Sequence, residues 1–254
     1  MTLFQKLSLC KPTPVSLFIP CLVDAMFPEV GEAMVRVFDR LGIPLLYPEG
    51  QTCCGQPAFN SGYRHEATVV ARRFIDLFAG AEVIVCPSGS CVAMVRHHYP
   101  ELFQDDPAML ERAVAIGRKT FEFTEYLVDV LGVTELGAVF PARATYHDSC
   151  HLARTLGIRE QPRQLLRHVR DLHLVEMASA DTCCGFGGTF SVNYPDISLA
   201  LVDEKIDNIL KSGADTVVGC DVSCLMNIRG RMTRRKEAIQ VLHIAQVLAS
   251  AEHA

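Results

Sequence analysis

The stretch Thr182-Cys183-Cys184-Gly185-Phe186-Gly187-Gly188 places two adjacent cysteines directly before a glycine. The same arrangement occurs earlier in the chain as Thr52-Cys53-Cys54-Gly55. Cys21 precedes the first pair by 32 residues, and Cys150 precedes the second pair by 33 residues. Such self-similarity at a fixed offset is the signature of an internal repeat, so we expect two similar halves.

The remaining cysteines complete this repeat, because ten of the eleven cysteines fall into two sets of five. The two sets are offset from each other by about 130 residues, which is a separation typical of two domains of ordinary size. Cys10 lies outside both sets, and we expect it to take no part in a shared site. The sets are Cys21, Cys53, Cys54, Cys86 and Cys91, and then Cys150, Cys183, Cys184, Cys220 and Cys224.

The composition is that of a globular protein with a substantial core. Hydrophobic residues make up 49% of the 254 residues and charged residues 21%, which is near the globular average. A chain of this length forms one large domain or two of ordinary size, and the repeat favours two. Gly132, Gly137 and Pro141 place the boundary near residue 137, so we predict cysteine-rich domains over 1–137 and 138–254.

Charge and hydropathy exclude several classes of function. The net charge of −5, without a long basic run, argues against a nucleic-acid partner. No apolar stretch reaches the length that spans a bilayer, so we expect no transmembrane segment. The N-terminal residues 1–21 lack the apolar core and cleavage site of a signal peptide. These observations predict a cytoplasmic protein whose cysteines are reduced thiols.

Thiols gathered in a reducing compartment indicate a metal site. Adjacent cysteines such as Cys53 and Cys54 bridge each other only through a strained ring, which argues against a disulfide framework. Zinc takes four ligands, usually as two close pairs, and five cysteines with two adjacent fit it badly. Such a set suits an iron–sulfur cluster with several irons. A zinc-stabilised scaffold stays open as the alternative.

Strands and helices alternate in both halves, and this predicts parallel sheets with crossover helices. In such sheets ligands bind beyond the carboxyl ends of the strands, where the cysteines fall. We therefore predict an α/β fold of two tandem, similar, Rossmann-like domains, each a parallel sheet flanked by helices. The predicted strands are 15–20, 43–47, 82–86, 143–149, 172–177, 216–220 and 238–242. The predicted helices are 28–42, 63–79, 107–117, about 121–131, 161–170, 195–212 and a terminal helix over 243–251.

Residues next to the cysteines are candidates for supporting roles. Gly55 and Gly185 allow a positive φ, so that a backbone amide can point at a sulfur and tune a cluster. His147, Asp148 and His151 surround Cys150, where they can support a cluster or deliver protons. The alternative is that they fix the loop through hydrogen bonds.

The cysteine pattern resembles the cysteine-rich CCG domain, which consists of a cysteine, a Cys-Cys pair and a final Cys-x-x-Cys. This domain occurs twice in one of the subunits of heterodisulfide reductase, and also in iron–sulfur subunits of glycolate oxidase and of anaerobic glycerol-3-phosphate dehydrogenase. Over nearly its full length the chain resembles the lactate utilization protein A family. The stretches that carry this resemblance are Phe18-Ile-Pro-Cys21, Gln51-Thr-Cys-Cys-Gly-Gln-Pro-Ala-Phe-Asn60, Pro87-Ser-Gly-Ser-Cys91, Tyr146-His-Asp-Ser-Cys-His151, Cys183-Cys-Gly-Phe-Gly-Gly-Thr-Phe190 and Cys224-Leu-Met-Asn-Ile228.

The resemblance implies an iron–sulfur electron-transfer subunit of a system that oxidises L-lactate to pyruvate, that is, part of an L-lactate dehydrogenase complex. It also implies two companion proteins, one of which itself carries iron–sulfur clusters. In heterodisulfide reductase each CCG set binds an unusual non-cubane four-iron cluster through five cysteines. Up to two clusters of the [4Fe-4S] type are implied here. One would be held by Cys21, Cys53, Cys54, Cys86 and Cys91, and the other by Cys150, Cys183, Cys184, Cys220 and Cys224.

The last cysteines of each set depart from the family pattern. Four residues separate Cys86 from Cys91, and three separate Cys220 from Cys224, instead of two. Cys86 and Cys220 are therefore the ligands with least support, and the alternatives are that either site holds an ordinary four-cysteine cluster or that only one of the two sites is filled. The resemblance also leaves open, as an alternative, an iron–sulfur protein like those of glycolate oxidase or heterodisulfide reductase, acting on a disulfide or quinone.

Overall fold

The computed structural model describes residues 13–251 as an α/β fold, and Cys10 lies outside the described residues. Within these residues no helix combines the length and the apolar character needed to cross a membrane. The elements of the first half are β1 (Val15–Leu17), α1 (Cys21–Met26), α2 (Pro28–Arg40), β2 (Leu45–Leu46), α3 (Gln56–Asn60), α4 (Arg64–Leu77), β3 (Val83–Cys86), α5 (Gly89–Ala93), the π-helical turn Met94–His98, α6 (Tyr99–Leu102), α7 (Pro107–Arg118), β4 (Thr120–Glu122), α8 (Phe123–Glu125) and the π-helical turn Tyr126–Val130.

The first half forms a parallel sheet of four strands in the order β2-β1-β3-β4. The central strands β1 and β3 are short and almost fully buried. Such strands are typical of a parallel sheet, because crossover helices cover both of its faces. The register pairs Leu17 with Val85, so that β1 and β3 end side by side.

The second half repeats this arrangement in the order β6-β5-β7-β8, again with all strands parallel. The predicted fold class, two tandem parallel sheets flanked by helices, is therefore confirmed. The elements of the second half are β5 (Val139–His147), the π-helical turn His151–Thr155, α9 (Glu160–Arg167), β6 (Arg170–Leu174), α10 (Phe190–Asn193), α11 (Pro195–Lys211), β7 (Thr216–Gly219), α12 (Val222–Arg235), β8 (Gln240–His243) and α13 (Ile244–Leu248).

Several element boundaries differ from the sequence prediction, and those of β4 and β6 show why. The helix predicted over about 121–131 starts later, because Thr120–Glu122 forms the edge strand β4, in which Thr120 pairs with Ile84. Glu122 then caps α8 through its side chain, which accepts hydrogen bonds from the backbone of Thr124 and Glu125. The strand predicted over 172–177 is Arg170–Leu174, where its pairing with β5 places it.

The two halves pack against each other through a shared hydrophobic core. Phe38 and Phe123 of the first half belong to the same buried cluster as Tyr146 and Ile244 of the second. The Arg40 guanidinium also donates hydrogen bonds to the carbonyl oxygens of Leu136, Leu248 and Ala249 at 2.8, 3.2 and 3.1 Å. The domain boundary near residue 137 stays a prediction.

Candidate metal centre

The cysteines of the first half lie at the carboxyl edge of its sheet. Cys21 is the first residue of α1 and follows β1 closely, while Cys86 is the last residue of β3. Cys53 and Cys54 lie in the loop between β2 and α3, and Cys91 lies in the first turn of α5. Residues that are far apart in sequence meet here because parallel strands end at one edge.

The second half positions its cysteines in the same way. Cys150 follows β5, the Cys183–Cys184 pair lies in the loop before α10, and Cys220 follows β7. Cys224 lies in the first turn of α12, a helix of 14 residues. The amino-terminal turn of a helix favours negative charge, so it favours the thiolate form that binds metals.

The carboxyl edges of the two sheets, where the cysteines lie, face each other across one cavity of about 360 Å³ between the halves. Gln56 of the first half and His151 of the second both line it, with their side-chain nitrogens 3.3 Å apart. Two of the ten predicted cysteines, Cys86 and Cys220, are not among the lining residues. The eight that line it are Cys21, Cys53, Cys54, Cys91, Cys150, Cys183, Cys184 and Cys224.

The five thiols of the first half form a continuous chain of side-chain contacts. Cys53 interacts with Cys21 and Cys54, and Cys91 interacts with Cys54 and Cys86. Hydrogen bonds from these neighbours lower the pKa of Cys53 and Cys91 below the usual thiol value. The same contacts and burial raise the pKa of Cys21 and Cys54. The set therefore holds thiolates next to thiols, and the thiols would lose their protons on binding a metal, because only the thiolate is a metal ligand.

In the second half the chain of contacts includes four cysteines. Cys183 interacts with Cys150 and Cys184, and Cys184 interacts with Cys224. The hydrogen bond from Cys150, followed by that from Cys184, lowers the pKa of Cys183 to about 2. Cys220 is not in this chain, because its Sγ atom accepts a hydrogen bond from the Tyr146 hydroxyl at 3.2 Å.

The different surroundings of Cys86 and Cys220 follow from the strand register. Val85 pairs with Leu17 in the first sheet, and Val218 pairs with Tyr146 in the second. Cys86 comes one residue after Val85, whereas Cys220 comes two residues after Val218. Because successive side chains alternate between the faces of a sheet, the two cysteines point to opposite faces of their respective sheets. Cys86 accordingly packs with Cys54 and Cys91, whereas Cys220 packs in the core that the halves share.

Two polar residues that sequence reasoning missed stand where a Cys-x-x-Cys motif has its first cysteine. Ser88 lies three residues before Cys91 and caps α5, and Asp221 lies three residues before Cys224 and caps α12. They interact across the halves, since the Ser90 amide donates to Asp221 Oδ2 at 2.9 Å and the Ser88 hydroxyl donates to it at 3.4 Å. Their spacing from the cysteines was the available signal.

The glycines after the cysteine pairs behave as predicted. Gly55 has φ of +87° and Gly185 has φ of +81°, a region that favours glycine. The Gly55 amide donates to Cys53 Sγ at 3.4 Å, and the Gly185 amide donates to Cys183 Sγ at 3.3 Å. These hydrogen bonds stabilise a thiolate at each pair.

The three polar residues around Cys150 differ in their surroundings. The Asp148 carboxylate accepts two hydrogen bonds from the buried Arg163 guanidinium at 2.9 and 2.8 Å, which fixes the loop. His151 Nδ1 lies 3.6 Å from Cys150 Sγ, at the edge of the cavity. His147 is buried beside Cys184 and Cys224, and burial lowers its pKa to about 3, so its ring is neutral.

Comparison with known families defines the class of protein. The cysteine-rich domain family CCG matches residues 15–96 and 144–229, once in each half. These two matches include all ten cysteines that the repeat predicts. The protein is thus a duplicated CCG-domain protein whose neighbouring thiols indicate metal or cluster binding.

Full-length relatives then identify the family. The chain is 55% identical over 236 residues to lactate utilization protein A of an Exiguobacterium species, covering 92% of this chain and 96% of that protein. It is 49% identical over 236 residues to lactate utilization protein A of Bacillus subtilis (strain 168), covering 93% and 99%. The chain belongs to the lactate utilization protein A family.

A solved structure shares the fold at much lower sequence similarity. The crystal structure of a hypothetical protein from Helicobacter pylori superposes with a TM-score of 0.68 at 10% identity. The match covers 99% of this chain and 54% of that chain. At this identity the likeness concerns the fold alone.

Proposed function

We propose that this protein is an iron–sulfur electron-transfer subunit of a multi-protein system that oxidises L-lactate to pyruvate. The observation that carries the proposal is the convergence of two thiol sets on one cavity between the halves. Membership of the lactate utilization protein A family supports lactate as the substrate of the system. The proposal places the protein in the cytoplasm with two companion proteins, one of which carries iron–sulfur clusters.

The donor sets fit iron–sulfur clusters of the [4Fe-4S] type, which are bound by cysteine thiolates. Cys220 was also predicted as a ligand, and the hydrogen bond from Tyr146 to its sulfur argues against that role. The residues that would hold one cluster are Cys21, Cys53, Cys54, Cys86 and Cys91, and those that would hold the other are Cys150, Cys183, Cys184 and Cys224.

Bound clusters would supply one-electron chemistry. The protein's own residues hold the thiolates at one edge, donate backbone hydrogen bonds to Cys53 and Cys183, and bring both sets to one cavity. Oxidation of a 2-hydroxy acid removes two electrons, normally as a hydride, and needs an acceptor such as a flavin. We therefore assign hydride transfer to a companion protein and electron transfer to this chain.

Anaerobic purification and reconstitution, followed by iron and sulfide analysis and electron paramagnetic resonance, test this proposal. We expect iron and sulfide in equal amounts and a resonance that appears or disappears on reduction. Fewer than about two irons per chain after reconstitution would contradict cluster binding. Zinc with no visible absorbance would instead support a zinc-stabilised scaffold.

The exposure of Cys21 at the cavity favours a second candidate, in which this protein reduces a disulfide or quinone at its own cluster. A substrate can reach a cluster that is held by an exposed residue. An assay with an artificial electron donor and a disulfide or quinone acceptor separates the two candidates. Turnover by the isolated chain supports the second candidate, and turnover that requires the companion proteins and lactate supports the first.

A further inference from the structure

His147 is a buried histidine whose ring nitrogens have no hydrogen-bond partner among the described residues. It is the last residue of β5 and is 1% exposed. A ring nitrogen lies within 4.8 Å of the Sγ atoms of Cys184 and Cys224. Buried polar groups are nearly always paired, because an unpaired one is destabilising. The position of His147 therefore calls for a partner that the described protein residues do not supply.

Another histidine of the second half shows how a buried ring is ordinarily satisfied. His243 is also 1% exposed. Its Nε2 atom donates to the Pro87 carbonyl oxygen at 2.9 Å, and its Nδ1 atom accepts from the Ala245 amide at 3.1 Å. A buried imidazole in this fold can thus have both of its nitrogens paired. His147 differs, because neither of its nitrogens has a partner among the described residues.

The first half has no imidazole at the equivalent position. Phe18 stands three residues before Cys21, as His147 stands three residues before Cys150. Phe18 is 0% exposed and packs edge to face on Phe74 and Phe78, with ring centroids 4.8 and 5.9 Å apart. A hydrocarbon side chain is therefore sufficient to fill this place beside a cysteine set.

The halves also differ in the thiol next to that position. The pair Leu17–Val85 is followed by Phe18 and Cys86, whereas the pair Tyr146–Val218 is followed by His147 and Gly219. Gly219 has no side chain at the position where the first half has its fifth thiol, that of Cys86. Cys220, one residue later, packs on the opposite side with Tyr146. The second set thus lacks a fifth thiol and has an unpaired imidazole nearby.

From this difference between the halves we propose that His147, and not Cys220, is the fifth protein ligand of the second centre. The inference rests on the proposed function, since it concerns the same cluster. Imidazole and thiolate are both ligands of protein-bound iron, and imidazole in place of thiolate raises the reduction potential of a cluster. The second centre would therefore have the higher potential, and electrons would pass from the first half to the second.

Pulsed paramagnetic resonance of the iron-loaded wild-type protein tests the ligand directly. We expect a strongly coupled nitrogen that changes when the protein is labelled with ¹⁵N-histidine. This measurement needs no substitution, so a variant that fails to fold does not affect it. Iron-loaded protein without such a coupling overturns the inference and leaves the proposed function intact. Wild-type protein that binds no iron overturns both.

Variants assign the nitrogen to one histidine. His147→Phe places the first half's residue at this position, and we expect it to remove the coupling. His151→Asn is the matched control, because His151 lies beside Cys150 but has Gln56 as a partner, and we expect the coupling to persist. Cys220→Ser should also retain it. A coupling that survives His147→Phe, or that is lost in His151→Asn, overturns the inference.

Discussion

The ends of β3 and β7 differ by one residue, and this changes the chemistry of the two halves. Cys86 ends β3 and reaches Cys91, while Gly219 ends β7 and Cys220 faces the shared core. Side chains of a strand alternate between its faces, so a shift of one position moves a thiol from one side to the other. A cysteine count therefore does not establish a ligand count, even in a clear repeat.

Loss of one whole centre is the largest effect that we expect, and it tests whether the halves bind metal independently. Cys54→Ser removes a thiol that links Cys53 to Cys91, and Cys184→Ser removes its counterpart between Cys183 and Cys224. Each variant should retain about half of the wild-type iron, because the other centre keeps its ligands. Iron analysis and resonance spectra check this. If either variant alone lost all the iron, the two sets would form a single site.

The next comparison concerns the glycines after the cysteine pairs. Both have left-handed backbone, which costs alanine about 1–2 kcal/mol. A Cβ atom on Gly55 would lie 3.5 Å from the nearest atom, the Ala67 oxygen, whereas one on Gly185 would lie 2.5 Å from the Ser198 oxygen. Overpacking adds about 1–3 kcal/mol, so we expect Gly185→Ala to cost about 2–5 kcal/mol and Gly55→Ala about 1–2 kcal/mol. Urea unfolding measures both. Equal losses would show that the loops are equally tolerant.

A buried titratable group of the first half, Glu122 of β4, interacts electrostatically with Cys220 of the second half. Burial raises its pKa to about 7, and its Oε1 atom has no partner among the described residues. A carboxyl that ionises less readily in the folded state favours folding below about pH 4.5, and this contribution is lost as the pH rises through about 7. The free energy of unfolding of the wild-type protein should fall by about 3 kcal/mol over that range because of this group, and Glu122→Gln should not show this decrease.

Unfolding free energies of wild type and Glu122→Gln, measured from pH 4.5 to 8, check this prediction. Glutamine can still accept the hydrogen bonds that the Thr124 and Glu125 amides donate to the Glu122 carboxylate. It therefore serves as an uncharged control of the same shape. Parallel pH profiles for the two proteins would show that Glu122 ionises normally in the folded state.

The smallest effect that we expect is that of Cys220→Ser. Its sulfur accepts a hydrogen bond from Tyr146, and a serine hydroxyl can accept the same bond. Iron content should be unchanged, and the free energy of unfolding should fall by no more than about 1.5 kcal/mol. Cys86→Ser is the matched variant, and it should lower the iron content of the first centre. Loss of iron in Cys220→Ser would instead indicate that Cys220 is a ligand, as the repeat predicts.

The sequence predicted much of this molecule from local patterns. The alternation of strands and helices indicated two parallel sheets, and the glycine after each cysteine pair predicted the amide that contacts a sulfur. The edge strand β4 was missed, because three residues carry no periodicity and pairing with β3 decides their conformation. Ser88 and Asp221 were missed, because only the folded chain brings these two helix caps into contact.

The sequence by itself determined the repeat, the fold class and the placement of cysteines after strands, since these depend on spacing and side-chain type along the chain. The tertiary structure decided that both sets open on one cavity and that Cys220 turns away from it while His147 lies beside Cys184 and Cys224. These features depend on strand register and on packing between the halves. Both are set by contacts between residues far apart in sequence, which no local pattern encodes.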